Sequence, residues 1–296
     1  MIVVLLGACA AQFNMPPVTQ ATDGQFTPGK IIWHDLLTDT PVQTQLFYSE
    51  LFGWEFRPLP DASINYSVIY HQGVMIGGMV DQNRLPNTKD ISQWVVGLSV
   101  RDIDRAARVL EDQGGEVFTP PTSLGDRGHI AVVADAQGAL FALLQTRDGD
   151  PLDVESPPAV GGFLWDELWA ADVAGAATFY RQLSGYSVQE ETLGTEGSPI
   201  DYRVLKTKGL PRVGIRPNPV EDLMPMWVSY LRVAGGNQLS AILARVEPLG
   251  GRILIPATKR PGGGVLAVIA GPSGAGIALQ TWTDDQSIEK VLEARQ

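Results

Sequence analysis

The chain contains an internal repeat, and this repeat limits the folds open to the sequence more than any other feature. The stretch from Trp33 to Trp54 reads WHDLLTDTPVQTQLFYSELFGW, and the stretch from Trp165 to Tyr186 reads WDELWAADVAGAATFYRQLSGY. The Phe-Tyr pair, the following Leu, the Gly and the final aromatic residue keep the same spacing from the opening Trp in both copies. Such repetition predicts that one structural unit occurs more than once along the chain.

Each copy has the pattern of a strand, a turn, a helix and the start of a second strand. In the first copy Thr40 suits the N-cap of the helix, Pro41 suits its first turn, and Gly53 suits its end. The residues near helical spacing that we expect on the face packed against a sheet are Leu46, Phe47, Tyr48 and Leu51. The pattern therefore predicts a helix that lies on a sheet.

The repeat extends into two modules, each with two β-α-β-β-β units. Gly114-Gly115 after the second helix matches Gly250-Gly251, and Asp135-x-x-Gly138 matches Gly271-x-x-Gly274. Two such units side by side can curl into a cup that shields the inner faces of their sheets. The predicted divisions are a signal and tether at 1–29, module 1 at 30–147, a linker at 148–161, module 2 at 162–283 and a tail at 284–296.

Composition argues against several classes of partner. A net charge of −11 argues against nucleic acid and against an electrostatic hold on anionic lipid, because both need a basic surface. The chain has one cysteine, Cys9, which excludes an internal disulfide and a cysteine-based metal cluster. No stretch after the N-terminus is long and apolar enough to span a bilayer.

The N-terminus resembles that of a bacterial lipoprotein. Residues 2–8 form a short apolar run, and Leu6-Gly7-Ala8-Cys9 is similar to the lipobox, where the signal peptide is cut and the cysteine is lipidated. The resemblance implies lipidation of Cys9, a tether over residues 12–30, and a place in the bacterial cell envelope on the periplasmic side. Because the run has no Lys or Arg before it, a cytoplasmic protein with one incidental cysteine is the alternative.

The ordered motifs resemble the vicinal oxygen chelate superfamily, which includes glyoxalase I, bleomycin-resistance proteins and extradiol dioxygenases. The shared marks are the Asp/Thr turn, Phe-Tyr, Phe-Gly-Trp, Gly-Gly and Asp-x-x-Gly, and they recur over residues 30–283. The resemblance implies an α+β fold in which four βαβββ units form two glyoxalase-like modules with cup-shaped mixed sheets. The Trp-x-Asp/Glu-Leu strand is similar to that of tandem glyoxalase-like proteins without the usual metal site.

The resemblance also identifies the positions where metal enzymes of the superfamily hold their ion. A His normally stands on the first strand of a unit and a Glu on the closing strand. Here the first-strand positions are Trp33, Val95, Trp165 and Val228, and the closing-strand positions are Ala142 and Ala278. None of these side chains coordinates a divalent cation, and His34 is shifted by one residue toward the opposite face. We therefore expect no metal and no other cofactor.

Alternation along a strand places Trp33, Asp35 and Leu37 on one face. It places Trp165, Glu167 and Trp169 on the matching face. The resemblance turns these faces toward the cups, where an aromatic wall with a carboxylate suits a flat or apolar ligand with a polar group. The candidate ligand-binding residues are Trp33, Asp35, Tyr66, His129, Trp165, Glu167 and Tyr202. The alternative is that the Trp residues are core and the carboxylates bond Tyr and backbone N–H groups.

The favoured function is the binding of a small apolar or aromatic ligand in the cup of one or both modules, without metal. The alternatives are an extradiol-type dioxygenase and a lyase or isomerase of the glyoxalase type. Such a lyase would depend on a metal or would use Asp35 or Glu167, since burial beside Trp can raise the pKa of a carboxyl. The expected partners are a small-molecule ligand and no nucleic acid, with the membrane contacted only through the N-terminal anchor. Both a monomer and a homodimer fit the sequence.

Overall fold

The computed structural model describes residues 14–60, 64–85, 89–154, 156–195, 198–260 and 263–282. Within these residues the chain forms sixteen strands and four α-helices, together with two short 3₁₀ helices. The strands and α-helices follow one another as four consecutive β-α-β-β-β units. The predicted α+β class with two mixed sheets is confirmed.

The elements have the following bounds. Module 1 contains β1 (Ile31–Thr38), α1 (Pro41–Phe52), β2 (Glu55–Pro58), β3 (Tyr66–His71), β4 (Val74–Asp81), β5 (Gln93–Ser99), α2 (Ile103–Asp112), β6 (Glu116–Ser123), β7 (Gly128–Ala134) and β8 (Leu140–Thr146). Module 2 contains β9 (Phe163–Ala170), α3 (Val173–Ser184), β10 (Ser187–Thr195), β11 (Ser198–Thr207), β12 (Leu210–Pro217), β13 (Met226–Val233), α4 (Gly236–Val246), β14 (Arg252–Lys259), β15 (Val265–Ala270) and β16 (Gly276–Thr281).

The two sheets have the same strand order. It is β2-β3-β4-β1-β5-β8-β7-β6 in module 1 and β10-β11-β12-β9-β13-β16-β15-β14 in module 2. In each sheet the first strands of the two units are antiparallel neighbours, and each pairs in parallel with the closing strand of its own unit. The outer strands of a sheet do not pair with each other among the described residues, so each sheet is an open cup and not a closed barrel.

Helix α1 begins and ends where the sequence predicts. Pro41 is its first residue, where a fixed φ suits a helix and the missing N–H breaks no helical bond. Gly53 ends it with a left-handed φ of 70°, and its N–H donates to the carbonyl oxygen of Ser49 at 2.9 Å. Thr40 precedes the helix but makes no side-chain capping bond.

The buried face of α1 is narrower than predicted. Phe47 and Tyr48 are fully buried, whereas Leu46 is 57% exposed, so its expected place on the packed face is wrong. Consecutive residues are rotated by about 100° around a helix, and the burial of both Phe47 and Tyr48 turns Leu46 outward.

The helices lie between the two sheets. One apolar cluster joins Leu110 of α2 and Tyr180 of α3 to strand residues of both modules, including Val133 and Leu168. A second cluster does the same for α1 and α4. The concave faces contribute instead to two clusters that each belong to one module. Each module therefore covers the helix-bearing face of the other, and burial of this apolar surface holds the two together.

Equivalent residues of the two modules make reciprocal hydrogen bonds. Trp54 Nε1 donates to the carbonyl oxygen of Gly161 at 2.9 Å, and the Tyr186 hydroxyl donates to the carbonyl oxygen of Gly29. Trp54 and Tyr186 close the two copies of the repeat. Such an exchange is expected of an approximate two-fold relation between the modules.

His34 lies at the contact between modules. Its Nε2 lies 3.0 Å from Oδ1 of Asp166, the residue at the same position in the second copy of the repeat. The Ser229 hydroxyl donates to the same oxygen at 2.6 Å, and the His34 ring stacks on Phe163 with centroids 3.7 Å apart. His34 and Asp166, which directly follow Trp33 and Trp165, therefore join the two modules.

The Phe-Tyr pair of the repeat also serves the contact between modules. The Tyr48 hydroxyl accepts from Trp94 Nε1 and the Tyr180 hydroxyl accepts from Trp227 Nε1, both at 3.1 Å. Tyr180 in addition donates to Oδ2 of Asp135 in module 1 at 3.0 Å. In module 2, Gly271 takes the place that Asp135 has in module 1, so Tyr48 has no equivalent bond to a carboxylate.

The segment before β1 packs on module 1. A tether was expected over residues 12–30, but Met15 and Val18 are buried among side chains of the concave face of the sheet. The Met15 N–H donates to the carbonyl oxygen of Leu124 at 2.9 Å. Cys9 and the predicted lipobox lie outside the described residues. Of the helices that are described, none has the length and apolar character needed to cross a bilayer.

We predict that Tyr180→Phe destabilises the protein more than Tyr48→Phe. The first change leaves both Trp227 Nε1 and an oxygen of Asp135 without their partner, and the second leaves only Trp94 Nε1. Each buried group left without a partner costs about 1–3 kcal/mol, so we expect losses of about 2–6 and about 1–3 kcal/mol in the free energy of unfolding. Urea unfolding of the two matched variants measures the difference, and equal losses would contradict the assigned bonds.

Candidate functional site

Cup 2, the concave face of the module 2 sheet, has an aromatic wall around a buried carboxylate. Alternation along β9 turns Trp165, Glu167 and Trp169 to this face. Tyr202 of β11 and Tyr230 of β13 meet them from the neighbouring strands. All five side chains are buried, so the carboxylate lies in surroundings of low polarity.

The hydrogen bonds of Glu167 fix its orientation. Its Oε1 accepts from the Tyr202 hydroxyl at 2.7 Å and from the Arg260 guanidinium, and its Oε2 accepts from the Tyr230 hydroxyl. The Tyr202 hydroxyl in turn accepts from Trp165 Nε1 at 3.0 Å. Both carboxylate oxygens are thus engaged.

Electrostatics keep Glu167 ionised. Burial alone would raise its pKa, but the charges of Arg260 and Arg216 and the bonds from Tyr230 and Tyr202 lower the pKa below its ordinary value. Burial raises the pKa of both tyrosines, helped by the negative charge of Glu167. The carboxylate is therefore an anion held by neutral tyrosines and a cation.

Cup 1, the concave face of the module 1 sheet, holds a related network. Oδ1 of Asp35 accepts from the Tyr66 hydroxyl at 2.7 Å and from Trp33 Nε1 at 3.0 Å. Arg127 donates through Nη1 to the Tyr66 hydroxyl at 2.9 Å, and its guanidinium lies 4.1 Å from the ring centroid of Trp33. The arginine therefore binds the tyrosine and the indole face and not the carboxylate.

Asp35 differs electrostatically from Glu167. Burial raises the pKa of Asp35, and the charge of Arg127 with the bonds from Tyr66 and Trp33 offsets only part of that rise. The difference follows from contact, because Arg260 touches Glu167 whereas Arg127 contacts Tyr66 and Trp33 and not Asp35. Two equivalent carboxyl groups thus have pKa values shifted in opposite directions.

The N-terminal segment occupies cup 1. Met15 and Val18 pack against Trp33 and Tyr66 in one buried cluster. Arg127 donates through Nε to the carbonyl oxygen of Pro16 at 3.0 Å, which ties the segment to the network beneath it. Module 2 contributes no such segment to its own cup among the described residues.

A glycine lets each tyrosine reach its carboxylate. A Cβ at Gly78 would overlap the Tyr66 hydroxyl, and a Cβ at Gly214 would overlap the Tyr202 hydroxyl. Gly78 therefore allows the Tyr66 hydroxyl to approach the backbone closely on its way to Asp35. The equivalent Gly214 carries the same signal in module 2.

The positions that hold metal in related enzymes lie together on the cup faces. In module 1, Trp33 and Ala142 are both register partners of Gly97, and Val95 is the register partner of Asp35. In module 2, Trp165 and Ala278 are both register partners of Tyr230, and Val228 is the register partner of Glu167. Indole and methyl groups supply no donor for a divalent cation. No group of three or more His, Cys, Asp or Glu side chains that could hold an ion occurs among the described residues.

Of the seven residues predicted to bind ligand, six lie in the cups and His129 does not. The six are Trp33, Asp35 and Tyr66 in cup 1, and Trp165, Glu167 and Tyr202 in cup 2. His129 is exposed and is paired in register with Gln145, whose side chain accepts from the first residue of α2. The histidine therefore lies on the helix side of the sheet, and its expected contact at the cup mouth is wrong.

Four further cup residues were not predicted from the sequence. They are Arg127, Arg216, Tyr230 and Arg260. A usable signal existed for Arg127 and Arg260, because each module carries an arginine shortly before its second-to-last strand. Arg216 and Tyr230 have no local signal. Trp169 lies in cup 2 with Trp165, as the alternation along the strand predicts.

Comparison with known proteins finds relatives over most of the chain. No family model matches the sequence. A Mycobacterium bovis protein, CFP32, provisionally described as a glyoxylase, is 26% identical over 257 residues, which cover 85% of this chain and 94% of that protein. The anthracycline biosynthesis protein DauV of Streptomyces sp. is 25% identical over 276 residues, which cover 86% of this chain and 94% of the relative.

Solved structures show the same fold. A Mn(II)-bound glyoxalase from Novosphingobium aromaticivorans matches 88% of this chain and 85% of its own with a TM-score of 0.56 at 14% identity. A catechol 2,3-dioxygenase matches 89% of this chain and 95% of its own with a TM-score of 0.56 at 12% identity. The resemblance to the vicinal oxygen chelate superfamily that the motifs predicted is confirmed.

We predict opposite pH behaviour for Glu167→Gln and Asp35→Asn. At pH 7 the first change leaves Arg260 without its counter-charge and costs about 3–5 kcal/mol of folding stability. Because the pKa of Glu167 is lowered by folding, the wild type loses this contribution as pH falls below the ordinary value of 4.5, and the difference shrinks.

For Asp35 the effect of pH on folding stability has the opposite sign, because folding raises the pKa of Asp35 above the ordinary value of 3.8. Its ionisation opposes folding at pH 7, so we expect Asp35→Asn to be as stable as the wild type or more stable, with the difference vanishing in acid. Urea unfolding of both variants between pH 3 and 7 measures this. A larger loss for Asp35→Asn than for Glu167→Gln at pH 7 would contradict the two networks.

Proposed function

We propose that this chain, which has the fold of the vicinal oxygen chelate superfamily, binds a small planar aromatic ligand in cup 2 without a metal ion. The observation that carries the proposal is the lining of cup 2. Trp165, Val228 and Ala278 stand where metal enzymes of the superfamily carry ligands, and aromatic rings surround a fixed carboxylate. Such a wall binds a flat ring through stacking and burial of apolar area.

Cup 2 is favoured over cup 1 because of what already fills cup 1. Met15 and Val18 pack against the aromatic residues of cup 1, and Arg127 bonds the backbone of Pro16. A ligand in cup 1 would have to displace these contacts. The names of the Streptomyces relatives, which refer to anthracycline biosynthesis, support a planar aromatic ligand, since anthracyclines contain fused rings.

Glu167 serves binding better than catalysis. Both of its oxygens are engaged, and the contact with Arg260 keeps its pKa low, so it is a weak base at neutral pH. A metal-independent lyase or isomerase is the second candidate, and Asp35 is the residue that favours it because burial raises its pKa. We place it second because Met15 and Val18 cover that carboxyl group's cup.

We also propose that Cys9 is lipidated and holds the chain at the bacterial envelope as a monomer. The lipobox-like motif supports the anchor, and the mutual burial of the helix-bearing faces within one chain supports the monomer. Expression with its own N-terminus in a bacterium should place the wild type in the membrane fraction and Cys9→Ser in the soluble fraction. Identical fractionation of both would remove the anchor.

The binding proposal is tested with a neutral planar probe, 2-(hydroxymethyl)anthraquinone, added to protein dialysed against a chelator. We expect the probe to quench tryptophan fluorescence saturably, with no requirement for added divalent metal. Trp165→Leu should weaken binding by about tenfold or more, because an aromatic anchor is lost. The matched change in cup 1, Trp33→Leu, should leave the affinity within about twofold.

Thermal unfolding of both variants checks that any loss of affinity is not a loss of folding. Absence of binding by the chelator-treated wild type, restored by Zn²⁺, Mn²⁺ or Fe²⁺, would contradict the metal-free proposal. A loss of affinity in Trp33→Leu equal to that in Trp165→Leu would contradict the choice of cup 2.

A further inference from the structure

Two buried N–H groups in cup 2 have no acceptor among the residues that the structure describes. They are Trp169 Nε1 and Arg216 Nε. Trp169 of β9 and Arg216 of β12 are register partners, and each lies two residues after a member of the Glu167–Gly214 pair, which faces the cup. The two donors therefore leave neighbouring positions on the same face of the sheet.

The other polar groups of the cup 2 network have hydrogen-bond partners among the described residues. Trp165 Nε1, the Tyr202 and Tyr230 hydroxyls and both oxygens of Glu167 are all hydrogen-bonded. Trp169 is 3% exposed, so water in bulk does not serve its N–H. Burying an unpaired donor opposes folding, so each of these two groups calls for an acceptor, and an ordered water, an ion or a ligand can supply it.

Arg216 favours an anion in cup 2. Arg260 is paired with Glu167, whereas Arg216 forms no ion pair in the part of the chain that is described, although its charge lowers the pKa of Glu167. Glu191, a further carboxylate on this face, lies on the edge strand β10 and accepts a hydrogen bond from Gln189 Nε2 at 2.6 Å. Among the described residues, no carboxylate therefore contacts the guanidinium of Arg216.

Cup 1 provides an internal comparison. The register partners that correspond to Trp169 and Arg216 are Leu37 and Val80, and both pack in the apolar cluster of cup 1. The scaffold therefore does not require donors at these positions. Donors at these two register positions occur in cup 2 and not in cup 1, where the unpaired donor is Arg127 Nη2 on another strand end, beneath the N-terminal segment.

Met226 stands beside the donors. It is the register partner of Trp169 on β13 and is half-buried against the same cluster. An unbranched methionine side chain changes its rotamer readily and can make room for a ligand.

Building on the proposed function, we propose that the ligand of cup 2 is a planar aromatic monoanion, such as an aromatic carboxylate or an ionised phenol. Its anionic oxygen accepts hydrogen bonds from Trp169 Nε1 and Arg216, and its ring system lies against the aromatic wall. A charged acceptor meets both requirements of the site, because it satisfies the donors and neutralises the arginine.

The test compares anthraquinone-2-carboxylate with its neutral analogue, 2-(hydroxymethyl)anthraquinone, by tryptophan quenching at 0.15 M salt. We expect the anion to bind the wild type at least about tenfold more tightly than the neutral probe. Trp169→Phe and Arg216→Met should each remove most of this preference. Arg147→Met, which makes the same change in net charge at an exposed surface site, should retain it.

Folding stability separates a ligand contact from a structural role. Neither donor has a hydrogen-bond partner among the described residues, so Trp169→Phe should unfold at the temperature of the wild type or above it, while affinity for the anion falls. Arg216→Met should lose only the charge interaction with Glu167, and its affinity for the anion should fall by more than this loss of stability explains. The double change Trp169→Leu with Arg216→Val, which installs the pair found in cup 1, should bind both probes alike.

Three results would overturn the inference. Equal affinity of the wild type for the two probes, or equal effects of Arg216→Met and Arg147→Met, would refute the anion site while leaving aromatic binding intact. A fall in unfolding temperature that accounts for the lost affinity would assign the donors a structural role. Failure of both probes to bind the wild type would refute the proposed function and this inference with it.

Discussion

Alternation along the first strand of each module is the constraint on which the rest of the structure depends. Neighbouring residues of β1 and β9 face opposite sides of their sheets, so one strand serves two purposes. Trp33 and Trp165 face the cups, while the residues after them, His34 and Asp166, meet at the contact between modules. A shift of register by one residue would break both arrangements together.

The same scaffold has produced two different cups. Asp35 and Glu167 occupy one position, but contact with Arg260 lowers the pKa of Glu167, while Asp35 lacks an equivalent contact. Two residues further along the strand, cup 1 has the apolar pair Leu37 and Val80, whereas cup 2 has Trp169 and Arg216. Cup 1 is also filled by the N-terminal segment. Duplication supplied the fold, and the side chains at a few register positions gave each cup its own chemistry.

The fold could be predicted because its signals are local and occur twice. The turn at Pro41, the helix end at Gly53 and the alternation of Trp165 and Glu167 each depend on residues close in sequence. The error at Leu46 arose because helical periodicity does not reveal which part of an apolar face meets the other module. The error at His129 arose because the register of β7 decides the face, and pairing with β8 sets that register.

The parts of the site that escaped prediction depend on contacts distant in sequence. Arg260 reaches Glu167 from a turn 93 residues away, and Arg127 reaches Tyr66 across 61 residues. The packing of Met15 in cup 1 likewise depends on a contact distant in sequence, because the Met15 N–H donates to the carbonyl oxygen of Leu124. Composition and spacing cannot specify such partners, because many polar residues compete for each position until the sheet is assembled.

A crystal structure of the chain grown with anthraquinone-2-carboxylate tests the central claim most directly. We expect electron density for the ring system in cup 2. The carboxylate should be hydrogen-bonded to Arg216 and Trp169, and Met15 should still be packed in cup 1. Density for the compound in cup 1, or a metal ion between Trp165 and Ala278, would contradict it.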